Sequence, residues 1–67
     1  MKKEEFEERF KKIVIKKGFV VVHTKCFDFI SNNYYISGDN IWLYNSAGGI
    51  NLKMKAIKGV FENGHNR

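Results

Sequence analysis

Five side chains in the second half of this sequence have the types and spacing of a binding surface: Tyr35, Trp42, Tyr44, Lys53 and Lys55. Flat rings stack on bases, and ammonium groups neutralise phosphates, so this pairing suits single-stranded nucleic acid. Lys25 and Lys58 add further cations that a phosphate backbone would use. Strand alternation decides whether these residues meet. If Ile41 and Leu43 face one way, Trp42 and Tyr44 face the other. On the next strand Ile50, Leu52 and Met54 oppose Asn51, Lys53 and Lys55. On the preceding one, Tyr35 points outward while Tyr34 and Ile36 point inward. Two competing roles exist for the same rings. The N-terminal helix can cover them, with lysine stems packed along their faces. They can also form a subunit interface, where Trp and Tyr are enriched.

The remaining chemistry is sparse. His23, Cys26, Asp28 and His65 carry metal-ligand chemistry, but His23-x-x-Cys26 is half a site, and a structural zinc needs four ligands. The ordinary reading is a buried thiol beside a surface histidine. No metal and no cofactor are expected. Cys26 and His23 do not make a nucleophile pair on an extended strand, because residues three apart point to opposite faces. No serine sits in a nucleophile-elbow context. Outside the helix the carboxylates are Asp28, Asp39 and Glu62, with no acid–base pair to nominate, and Asp39 lies in a turn sequence. Gly48-Gly49 joins two strands rather than feeding a helix, so it reads as a turn and not as a phosphate loop. The chain is expected not to be an enzyme.

These residues need a scaffold, and the patterning supplies one. Phe6, Phe10, Ile13, Val14 and Lys17 follow the spacing of one helical face over Glu4–Lys17. Glutamates lead and lysines finish, which suits the helix dipole, and Gly18 is a natural stop. From Phe19 the pattern turns to β: Phe19–Thr24, then Cys26–Ile30, with a bend or bulge near Thr24-Lys25 to reconcile their parity. Ser31-Asn32-Asn33 reads as a turn. Tyr34–Ser37 and Ile41–Asn45 flank the tight-turn residues Gly38-Asp39-Asn40. Ile50–Met54 follows the Ser46–Gly49 turn. A helical or 3₁₀ turn over Lys55–Lys58 and a last strand at Val60–Glu62 complete the chain, with residues 63–67 as a frayed tail. The expected core is Phe6, Phe10, Ile13, Val14, Val20, Val22, Ile36, Ile41, Leu43, Ile50, Leu52 and Ile57.

The spacing therefore predicts one α+β domain over residues 1–67: a helix at about 4–17 and a β meander of four or five short antiparallel strands at about 19–62. The ending, a hairpin strand, a short turn carrying Ala56-Ile57 and a brief last strand, resembles the way small SH3-like and Sm-like barrels close. That resemblance covers the last third of the chain and implies a curved sheet or barrel; it carries no functional residues with it. The alternative is an open meander sheet with the helix on one face.

Size and charge bound the rest. Sixty-seven residues hold a marginal core, and a single cysteine allows no internal disulfide. A homo-oligomer is the expected source of extra stability. The lone thiol and the absence of a signal-peptide pattern point to the cytoplasm, and no apolar run is long enough for a membrane. The net charge is +5, carried by both the helix and the strands. It favours acidic partners. Usage skewed to Lys, Asn, Ile, Phe and Tyr suggests a low-GC bacterium or a phage. The expected function is a small non-catalytic binding protein whose basic, aromatic sheet face contacts single-stranded nucleic acid. Two other classes are a regulator or inhibitor that binds a host protein, and a small-ligand binder at a subunit interface.

Overall fold

The helix forms where the periodic apolar face predicts it. In the computed structural model, which describes residues 1–63, helix α1 spans Lys3–Lys17 and ends on Gly18, whose φ of 86° no β-carbon-bearing residue adopts cheaply. The Gly18 N–H donates to Val14 O at 2.8 Å and closes the last turn. Phe6, Phe10 and Ile13 are buried along one stripe, while Val14 is half-buried.

Six antiparallel strands follow: β1 (Val20–Thr24), β2 (Asp28–Ser31), β3 (Asn33–Ser37), β4 (Asn40–Asn45), β5 (Gly48–Lys53) and β6 (Ile57–Phe61). A single 3₁₀ turn, Met54–Ala56, separates the last two. They form two three-stranded sheets, ordered β2-β1-β6 and β3-β4-β5. Among the described residues the architecture is a small α+β domain, one helix with two three-stranded sheets that do not close into a barrel.

Three features depart from a simple meander. The Ser31-Asn32-Asn33 segment does not reverse the chain, and β2 does not pair with β3. Asn32 alone carries the chain from one sheet into the other. Its N–H donates to Tyr44 O at 2.9 Å. The buried Ser31 hydroxyl lies 2.8 Å from Asn33 O and 2.9 Å from Tyr44 O. Asn45 Nδ2 donates to Ile30 O at 2.7 Å. These bonds fasten the two sheets where the chain crosses. Second, residues 24–27 form a hairpin turn rather than a bend within continuing strands. The Thr24 hydroxyl donates to Phe27 O at 2.7 Å and accepts from the N–H groups of Cys26 and Phe27. A register shift between His23 and Thr24 does occur, on the side facing β6. Third, β6 returns to pair with β1, so the first and last strands are neighbours.

The core lies between α1 and the inner faces of the sheets. Eight of the twelve expected core residues are buried: Phe6, Phe10, Ile13, Val20, Val22, Ile41, Leu43 and Ile57. Val14, Ile36, Ile50 and Leu52 are half-buried and pack against that cluster, which also contains Val60. Val21 is buried as well, although its parity places it opposite Val20 and Val22. It pairs with Ile30 on one side and Phe61 on the other, whose side chains share its face. Among the described residues, no helix is long and apolar enough to cross a membrane.

Candidate functional site: the outer face of the β3-β4-β5 sheet

Register settles which side chains share a face. Tyr35, Trp42 and Asn51 are directly opposite one another across β3, β4 and β5. Asn33, Tyr44 and Gly49 make the next row, and Ser37, Asn40 and Lys53 the row on the other side. Successive rows stand about 7 Å apart, twice the rise of a strand residue. The inward rows are Tyr34–Leu43–Ile50 and Ile36–Ile41–Leu52. Burial follows the same alternation, because the aliphatic set must leave water.

α1 packs on the inward side. Tyr34 stands edge-on to both Phe6 and Phe10, with ring centroids 5.3 Å and 4.7 Å away. Its hydroxyl donates to Glu7 Oε2 at 3.1 Å. Burial, reinforced by that hydrogen bond and by the Glu7 charge, pushes the Tyr34 phenol above its ordinary pKa. The helix therefore covers Tyr34 and leaves the Trp42 side of the sheet open.

On the open side Tyr35 and Trp42 form a tilted pair with centroids 5.9 Å apart. Tyr35 is 60% exposed, and Tyr44 is 39% exposed; Trp42 is half-buried. Lys53 is exposed and closes one end of the face. Tyr44 lies across bare backbone: a β-carbon on Gly49 would come within 2.6 Å of the Tyr44 ring. The glycine thus lets the ring lie flat along the sheet.

The other cations sit elsewhere. Lys55 is exposed but belongs to the 3₁₀ turn, one step past the end of β5. Lys25 lies in the β1–β2 turn and Lys58 on β6, both exposed on the other sheet. They share no sheet face with Trp42.

The His23, Cys26, Asp28 and His65 set resolves differently from its sequence reading. His23 and Asp28 are opposite one another on β1 and β2, and His23 Nδ1 donates to Asp28 Oδ1. Cys26 is exposed in the turn and not buried. His65 lies outside the described residues. Among the described residues, no three His, Cys, Asp or Glu side chains gather to hold a metal ion. The His23–Asp28 pair was not foreseen, because only the 24–27 turn brings the two into register.

A concavity that the sequence did not signal opens beyond Lys53. Its volume is about 840 Å³, and it lies between the start of α1, the β3–β4 turn and the 3₁₀ turn. Compared with protein-family models, with curated proteins and with solved structures, the chain matches none.

Proposed function

We propose that this protein binds single-stranded nucleic acid on the outer face of β3-β4-β5, with Trp42 and Tyr35 as the stacking platform and Lys53 as the nearest phosphate contact. One observation carries the reading: the Tyr35–Trp42 pair lies on the face opposite α1, next to a lysine and with no acidic side chain in its rows. Stacking of a base on such a ring contributes about 1–3 kcal/mol. Trp42 is the protein's single tryptophan, so its fluorescence reports occupancy directly. Titration with mixed-sequence oligonucleotides at low salt is expected to quench it. Trp42→Ala, followed by anisotropy of a labelled oligonucleotide, is expected to weaken binding about 5- to 150-fold, the equivalent of one lost stack. An unchanged Trp42 signal at saturating oligonucleotide rules the face out.

A second reading, a protein partner, draws on the other sheet. Phe19, Ile30 and Phe61 are exposed large apolar side chains at 37%, 56% and 37%, and Ile30 and Phe61 flank Val21 on one face. Apolar patches of this kind favour protein contacts. The two sheets also leave β2, β6, β3 and β5 as edge strands, and the chain has no proline to blunt them. Self-association through such edges is the basis for the homo-oligomer we propose. Sedimentation across a dilution series tests it, and a constant mass of 7.8 kDa counts against it.

A further inference from the structure

The cavity beyond Lys53 is assembled from three separate segments, and its lining mixes charges in a way that selects a ligand class. Lys2, Lys53 and Lys55 supply three ammonium groups. Glu5 and Asp39 supply two carboxylates, and Met1 and Met54 supply apolar, adaptable surface. The backbone is tied at this point, since the Met54 N–H donates to Asp39 O at 2.8 Å across the gap between the β3–β4 turn and the 3₁₀ turn. Lys53 belongs both to the aromatic sheet face and to this lining, so the two surfaces are continuous.

A bare inorganic anion answers the lysines alone and leaves Glu5, Asp39 and the two methionines without a complementary group. A bare apolar molecule leaves five charges unanswered. A nucleotide answers all three kinds of surface. Its phosphate takes charge-assisted hydrogen bonds from the lysines, its ribose hydroxyls or exocyclic amino groups donate to the carboxylates, and its base packs on the methionines. The hollow is a cleft about half open to solvent, with a volume of about 840 Å³, so a nucleotide would rest against its lining on one side. We propose that this cavity holds one nucleotide unit, the neighbour of the base stacked on Trp42. This rests on the nucleic-acid reading of the sheet face and adds a site to it.

The test uses the whole protein labelled with ¹⁵N and adenosine 5′-monophosphate as the probe, with inorganic phosphate and adenosine titrated separately. The nucleotide is expected to shift the amides of Lys2, Asp39, Met54 and Lys55, and to bind about tenfold or more tighter than either fragment. Lys2→Ala with Lys55→Ala is expected to weaken it about tenfold or more. An oligonucleotide that quenches Trp42 is expected to compete with it. Phosphate binding as tightly as the nucleotide overturns the proposal in favour of a simple anion site. Quenching of Trp42 by oligonucleotides without any nucleotide-induced shift at the cavity also overturns it, and leaves the stacking face standing. Cavity shifts without quenching retain the nucleotide site and remove the strand reading.

Discussion

The ring of Tyr34 stands edge-on to that of Phe10, centroids 4.7 Å apart and planes at 64°, and this contact ties the helix, whose backbone lies closest to β1 and β6, to the inner face of the second sheet. Phe10 is only 2% exposed. Phe10→Ala should cost about 3–5 kcal/mol, from lost burial and the cavity left behind. A double-mutant cycle with Tyr34→Ala should leave a coupling of about 0.5–1.5 kcal/mol, measured by urea denaturation. Additive losses mean that the two rings do not hold the helix in place.

The same phenol sets an alkaline limit. Its pKa is raised in the folded state, chiefly by burial and then by Glu7. A raised folded value means the folded state holds the proton more tightly. The resulting stability is fully present below the unfolded value of about 10 and is lost as pH rises through the folded one. Thermal midpoints from pH 8 to 12 should fall more steeply for the wild type than for Tyr34→Phe. Parallel curves would show that Tyr34 ionisation is not coupled to folding.

Ser31 fastens the crossover between the sheets. Its side chain is fully buried, and its hydroxyl reaches two carbonyls, those of Asn33 and Tyr44. Ser31→Ala leaves one or both less satisfied and should cost about 1–3 kcal/mol. Hydrogen exchange should show faster opening at Asn32 and Asn33 first. A neutral substitution would mean that the Asn32 and Asn45 bonds suffice.

Gly49 tests the aromatic face without removing a ring. Gly49→Ala places a methyl group 2.6 Å from the Tyr44 ring and 3.0 Å from Leu43 O, so the ring must leave its position along the sheet. The expected cost is about 1–3 kcal/mol, as for other overpacked sites. Tyr44 ring resonances should move in the same variant. If oligonucleotide affinity is untouched while those resonances shift, Tyr44 lies outside the footprint.

Salt dependence counts the phosphates. Lys53 on the sheet and Lys55 just past its end are the lysines next to the aromatic rows. Two neutralised phosphates give a log–log salt slope of about −1.4 for a single strand. Lys53→Glu should flatten it by about 0.7 or more. A slope of about −2.1 in the wild type would add Lys2 from the neighbouring cavity, and one of about −2.8 would bring Lys25 or Lys58 into the binding path as a fourth contact.

Much of this molecule is legible from local pattern. The Phe6–Phe10–Ile13 stripe and Gly18 determine the helix, because each depends on backbone geometry within a few residues. The alternation of Ile41-Trp42-Leu43-Tyr44 determines which side of the sheet is wet, since a period of two leaves no other way to bury the aliphatic set. Contacts between distant segments were decided only by the tertiary structure. Nothing in the sequence near Val60 says that it closes against Val22, a pairing whose loop-closure cost is recovered only when the whole core forms. The Ser31-Asn32-Asn33 segment has turn composition, yet it continues the chain into a second sheet, because Tyr44 O and Asn33 O satisfy it there. Charge count alone places Lys25, Lys53, Lys55 and Lys58 together. The fold instead sends two of them to the first sheet and brings Lys2, 51 residues before Lys53, to the other two. Side-chain chemistry was readable residue by residue; its grouping depended on how the two sheets and the helix packed.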